Sequence, residues 1–118
     1  MKKVDIIVIN LGTNDTSGAS NSNFTENFAT ATVNWVKTLL TYNPDATVLL
    51  TYGMMGQNSK VISGYQSAVS QLKAQGYNNV YYYTYQGTYD GGGHPSKEDH
   101  ISNSTYLANK IKEILNLN

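Results

Sequence analysis

Asp5-Ile6-Ile7-Val8-Ile9-Asn10-Leu11-Gly12-Thr13-Asn14-Asp15 is the stretch on which the reading of this chain turns. Ile6 to Ile9 form a short, β-branched and wholly apolar run. Such a run reads as a strand buried on both faces of a parallel sheet. Apolar character stops at Asn10, and Gly12 permits a sharp turn into Thr13, Asn14 and Asp15. Polar groups just past the carboxyl end of a parallel strand are where α/β proteins hold ligands. An ordinary Gly/Asn/Asp turn would read the same way, so the stretch needs support from elsewhere in the chain.

Outward from it, the pattern strand, loop, helix occurs three times. The first strand is predicted over Val4 to Asn10, followed by a polar loop from Thr16 to Asn23. Asn23, three residues before Glu26, reads as an N-cap with a capping-box partner. The helix after it carries Phe28, Thr32, Trp35, Val36, Leu39 and Leu40 at helical spacing, and Trp35 is predicted to be core. Asn43-Pro44-Asp45 ends it. A second strand spans Thr47 to Tyr52, and a loop spans Gly53 to Asn58. The second helix starts near Ser59, with Ile62, Tyr65, Val69 and Leu72 on one face, the internal Gly64 as a weak point, and Gly76 as its stop. The tyrosine-rich third strand is predicted over Asn79 to Tyr85, and a last helix over Ser102 to Leu115. These units imply one α/β domain, residues 1–118, with a parallel, flavodoxin-like sheet layered between helices.

Composition narrows the functional classes. The 118 residues carry no net charge, and all eight basic residues are lysine. Without arginine or a basic cluster, a nucleic-acid groove or a bidentate phosphate clamp is disfavoured. No Gly-rich loop meets a helix with a Lys or Arg, which disfavours a nucleotide-binding domain. The chain has no cysteine, so disulfides, thiolate catalysis and Cys-based metal sites are excluded. Apolar runs are too short for a membrane helix. Met1-Lys2-Lys3-Val4-Asp5 does not read as a signal peptide. The protein is therefore expected to stay inside the cell, or to take its targeting from an upstream segment. Asn-x-Thr triplets at Asn14, Asn23 and Asn103 would accept glycans only in a secretory setting.

Support for the opening stretch comes from Asp90-Gly91-Gly92-Gly93-His94-Pro95-Ser96. Taken with Gly12-Thr13-Asn14-Asp15, it resembles the SGNH (GDSL-type) hydrolase family, whose Gly-x-Asn-Asp and His-Pro blocks these segments match. The wording Val-Ile-Asn-Leu-Gly-Thr-Asn-Asp and His-Pro-Ser-Lys-Glu-Asp-His is most similar to the carbohydrate-esterase branch, which includes acetylxylan esterases. The resemblance covers nearly the whole chain and corresponds to roughly the last two-thirds of such a domain. It implies an incomplete sheet, the family's first strands being absent. It also implies acetylated carbohydrate, or another small ester, as substrate, and no cofactor.

The loops after the three strands are expected to gather at one edge of the sheet. His94, whose imidazole can take a proton from a hydroxyl and return it to a leaving group, is the candidate general base. Asp90 is the candidate acid partner, although the family places that acid three residues before the histidine, where Gly91 stands here; a Ser-His dyad is the alternative. Asn14 matches the family's oxyanion donor. Gly12 and Asp15 read as structural, the latter satisfying loop amides, and Tyr89 reads as a possible sugar contact. The first four tyrosines from Tyr81 to Tyr85 are expected to be buried in their strand. His94 and His100 do not have a metal-ligand spacing, so no metal is expected. The nucleophile is missing, because no Gly-Asp-Ser block occurs and Ser17, Ser20, Ser22, Ser59, Ser63 and Ser96 lack a strand-turn-helix setting. The serine is expected from another chain or an upstream segment. The competing reading is a non-catalytic remnant serving as a carbohydrate-binding or interaction module. Either way, Val4 to Asn10 would be an exposed apolar edge, expected to pair with a Ser-bearing chain or with its own copy in a homodimer.

Overall fold

The computed structural model describes residues 3–118, so Met1 and Lys2 lie outside the described residues. Strand β1 is Ile6–Asn10, helix α1 Phe24–Tyr42, strand β2 Thr47–Tyr52, helix α2 Ser59–Ala74, strand β3 Val80–Thr84 and helix α3 Lys97–Ile114. The strands form one parallel sheet in the order β1-β2-β3. Ile7 pairs with Val48 and Asn10 with Thr51, while Val48 pairs with Val80 and Tyr52 with Thr84. The expected α/β architecture, with three strand-helix units, is the observed one.

Because strand order follows chain order, both right-handed crossovers deliver their helices to the same face. There Ala29, Val33, Val36 and Leu40 of α1 meet Val61, Tyr65, Ala68 and Leu72 of α2 over Ile9, Val48, Leu50, Tyr52 and Val80. Gly64 belongs to this packing: a Cβ there would lie 2.7 Å from Cδ1 of Phe28. The glycine that weakens α2 as an isolated helix is what lets α1 approach it. Alternation along the strands sends Leu49, Thr51 and Tyr83 to the opposite face, where all three are buried. The Thr51 hydroxyl is satisfied there by donating to the carbonyl of Ile9 at 2.9 Å.

Four expectations are corrected. Strand β1 is not buried on both faces: it begins at Ile6 rather than Val4, and Val8 is 40% exposed because β1 lies at the sheet's edge. Trp35 is not core but 43% exposed, since its side of α1 overhangs that open edge. Asn23 occupies the N-cap position of α1 without capping it; its own amide instead donates to Oδ1 of Asn21 at 2.9 Å. Helix α3 starts five residues before the predicted Ser102. Ser96 caps it, its Oγ accepting from the Asp99 amide while the Asp99 carboxylate accepts from the Ser96 amide, each at 3.0 Å. The Ser-x-x-Asp capping box is local to the sequence and sets the start of α3 at the end of the site loop.

Candidate functional site

Leaving β1, the chain turns at Gly12, whose φ of 124° and whose packing both demand glycine: a Cβ would meet Val61 Cγ1 at 2.9 Å. The Asp15 amide donates to the Gly12 carbonyl at 3.1 Å, opening a 3-10 turn over Asn14–Gly18. Two groups from elsewhere brace this turn. The Tyr65 hydroxyl of α2 donates to the Leu11 carbonyl at 2.9 Å, and Thr13 Oγ1 reaches the Met55 carbonyl at 3.4 Å. Asn14 itself is exposed, and among the described residues its side-chain amide makes no hydrogen bond. The turn thus holds the backbone while leaving the Asn14 amide unspent.

Asp15 does not do what its turn position suggested. Its carboxylate accepts no loop amide among the described residues. It lines a cavity of about 250 Å³ with Leu11, Phe28, Trp35 and Tyr65. Burial first, and then the negative charge of Asp15, push the Tyr65 hydroxyl up to about 12. The brace on Leu11 therefore stays protonated at any ordinary pH.

The loop after β3 is anchored by a residue that sequence reading did not single out. Asn103, 1% exposed on α3, accepts from the Gly87 amide at 2.9 Å and donates to the carbonyls of Thr88 and Asp99 at 2.8 and 2.9 Å. Ser102 Oγ adds an acceptor for the Thr88 amide at 3.1 Å. The signal lay in the poor helix propensity of asparagine at mid-helix, which marks a side chain held there by hydrogen bonds. Burial of this amide also removes Asn103 as a glycan acceptor in the folded protein.

Beyond that anchor the loop shapes itself. Asp90 Oδ1 accepts from the Gly92 amide at 2.9 Å, and the Tyr89 hydroxyl donates to the Gly93 carbonyl at 2.7 Å. Gly91 and Gly93 both take positive φ, giving the irregular path that the glycine run foretold. His94 stands exposed at the end of this path, with no hydrogen bond from Asp90 or any other described residue. One oxygen of the Asp90 carboxylate turns the loop, and the Tyr89 hydroxyl closes it. His100 lies within the first turns of α3. Among the described residues no group of three His, Cys, Asp or Glu side chains could hold a metal ion.

All three loops leave the carboxyl edge of the same parallel sheet. Strand β2 separates the ends of β1 and β3, which places those ends ~10 Å apart. The middle loop is knitted by Tyr52, whose hydroxyl donates to the Gly56 carbonyl at 2.7 Å and accepts from the Asn58 amide at 3.1 Å. No described hydrogen bond joins the Asn14 turn to the His94 loop. Two of the candidate serines are engaged with the backbone: Ser96 caps α3, and Ser17 Oγ donates to the Asn14 carbonyl at 3.2 Å.

Comparison with known proteins gives the fold a context. No protein-family model matches the chain, and no curated protein matches it in sequence. Among solved structures, a family two carbohydrate esterase from Cellvibrio japonicus superposes with a TM-score of 0.75 at 24% identity, over 95% of this chain and 33% of that one. An acetyl xylan esterase from the rumen bacterium Butyrivibrio proteoclasticus gives 0.79 at 20% identity, over 97% and 38%. An active-site mutant of a family two carbohydrate esterase from Clostridium thermocellum gives 0.79 at 26% identity, over 99% and 38%. The Clostridium esterase has also been solved in complex with cellohexaose. The chain thus has the fold of part of a family two carbohydrate esterase, as the motifs implied, and spans little more than a third of the length of these structures.

Proposed function

We propose that the chain is the portion of a carbohydrate acetyl esterase that carries its general base and one oxyanion donor. The observation that carries this reading is the pairing of two unspent side chains, Asn14 and His94, on loops leaving one sheet edge. In the chemistry proposed, His94 takes the proton of a serine hydroxyl as its oxygen attacks the acetyl carbon. The Asn14 amide donates to the carbonyl oxygen while it bears negative charge, an interaction of the kind worth ~3 kcal/mol in the transition state. His94 then returns the proton to the departing sugar hydroxyl, and water resolves the acyl-enzyme by the same route in reverse. Asp90 accepts from Gly92 through Oδ1 alone and keeps Oδ2 open, so both the triad and the Ser-His dyad are forms of this mechanism.

The serine comes from outside these 118 residues, on a strand that adds to the free edge of β1. A second reading, a carbohydrate-binding remnant without catalysis, draws on the absence of any Gly-Asp-Ser block. Hydrolysis of p-nitrophenyl acetate separates the two. On the esterase reading, the chain alone is no faster than its His94→Ala variant, while the assembly containing the Ser-bearing strand is His94-dependent. An assembly as inert as the lone chain would leave the remnant reading standing.

A further inference from the structure

Helix α3 differs from α1 and α2 in what it buries. An amphipathic helix docks by an apolar stripe, yet the buried residues of α3 are Asp99 and Asn103, 5% and 1% exposed. No α3 side chain belongs to the apolar core that α1 and α2 share with the sheet. Ile101 and Tyr106 of α3 stand exposed. Buried polar groups are tolerated where hydrogen bonds satisfy them, so the partners of these two show what the helix is built to hold.

Those partners lie at the two ends of residues 87–96, the loop that carries His94. Asn103 spends its oxygen on the Gly87 amide and its N–H groups on the carbonyls of Thr88 and Asp99. The Asp99 carboxylate in turn accepts the Ser96 amide. One side-chain amide thus ties the start of the loop to the residue that fastens its finish. Gly87 is fitted to this anchor: a Cβ there would lie 2.7 Å from Asn103 Cγ and 2.8 Å from the Asn103 backbone nitrogen. The remaining described hydrogen bonds of the loop run to Ser102 or close it on itself, Gly92 to Asp90 and Tyr89 to Gly93; none reaches β1, β2, α1 or α2. A loop with joined ends, closed by its own side chains, is an Ω-loop, a compact body rather than a tether. His94 sits two residues before Ser96, with Pro95 fixing φ between them.

The geometry points to Asn103 as a positioning residue for His94. Its amide joins both ends of the loop, so the loop rides on α3 as one body and the histidine is aimed by the helix rather than by the sheet. Asn103 makes no hydrogen bond to His94; it acts by keeping the imidazole where the serine hydroxyl and the leaving oxygen meet it. The inference rests on the esterase reading of His94 and deepens it, naming what holds the residue in place while no described side chain bonds its ring. Misplacing a reacting group by ~1 Å can cost ~10²-fold in rate, so an anchor remote from the chemistry has catalytic weight.

The test compares the wild type with Asn103→Leu, which keeps the side chain's size and suits a helix but has no amide. ¹⁵N relaxation of the 118-residue chain should give backbone order parameters of ~0.85 from Thr88 to His94 in the wild type and below ~0.6 there in the variant, with β2, β3 and α2 unchanged. Ser102→Ala removes only the bond to the Thr88 amide and should loosen the same residues to a smaller degree; it decides the matter if Asn103→Leu does not fold. In the native assembly, Asn103→Leu should lower kcat for p-nitrophenyl acetate about tenfold or more, with KM within about twofold. Order parameters unchanged at 88–94, or falling equally across the sheet, would overturn the inference. So would an unchanged kcat in an assembly whose hydrolysis depends on His94. An assembly without His94-dependent hydrolysis would overturn the esterase reading, and this inference with it.

Discussion

At the residue scale, the side chains assigned chemistry are those the fold leaves unspent. Among the described residues Asn14 has an idle amide and His94 has no partner, whereas one Asp90 oxygen and the Tyr89 hydroxyl already close their own loop. On the proposed esterase reading, Asn14→Ala in the assembled protein is therefore expected to lower kcat by ~10²–10³ with little change in KM, because the oxyanion exists only after attack. A rise in KM alone would make Asn14 a ground-state contact. Asp90→Asn keeps an acceptor oxygen for the Gly92 amide, so on the dyad form turnover should fall only a few-fold; a loss comparable to that of His94→Ala would mark the triad. Tyr65 offers a spectroscopic check on the brace. Its folded-state hydroxyl sits near 12 against 10 when unfolded, so its neutral form is favoured by folding. That preference leaves stability flat below pH 10 and erodes it between about 10 and 12. Burial also pushes up the hydroxyls of Tyr52, Tyr82 and Tyr83, so ultraviolet titration should show several late-ionising tyrosines, with one fewer in Tyr65→Phe. Both motif blocks were legible in sequence because they are local. The partners of Asp90, Tyr89 and Asp15 were not, because a turn's hydrogen bonds depend on φ and ψ that composition leaves open.

At the scale of elements, the boundaries that sequence reading missed are where one residue serves two structures. Ser96 ends the site loop and begins α3, so the helix was read as starting five residues late. Ser96→Ala should cost ~1 kcal/mol by loss of the cap. Asn103→Ala should cost more, since it leaves the Gly87 amide and the Thr88 carbonyl without their partner inside a tight loop. Thermal unfolding should rank these two variants in that order, and the reverse ranking would mean that the loop draws little from α3. The Asp99 carboxyl, held below the usual range chiefly by the Ser96 amide, adds stability above the unfolded carboxylate pKa. This contribution disappears as pH falls through its lowered folded value. Strand β1 is legible from its apolar run, and its open edge follows from the absence of the strands that the resemblance places before it, as Val8 at 40% exposure shows. Trp35 stands at core spacing in the sequence yet is exposed, since its helical face points to the side that β1 leaves open.

At the scale of the whole molecule, the chain is a slab of 41 × 39 × 24 Å with a radius of gyration of 14.8 Å, against ~13.5 Å for a compact domain of this length. It exposes 7156 Å², where a folded monomer of its mass exposes ~6,300 Å². Part of the excess is apolar and gathered at one place: Val8, Leu11 and Trp35, each at least 40% exposed, flank the free edge of β1. Isolated, the chain is expected to sediment as a dimer or larger species, and Val8→Lys, which blunts the edge, should shift it toward monomer without unfolding it. A wild-type chain already monomeric would show that the edge needs no partner. The central claim, that His94 and Asn14 serve a serine outside these residues, is tested most directly by fluorophosphonate labelling of the protein in its native assembly, with the modified site mapped by mass spectrometry. One labelled serine is expected, in polypeptide beyond residues 1–118, with labelling lost in His94→Ala. Label on a serine within the chain, or labelling indifferent to His94, would contradict it.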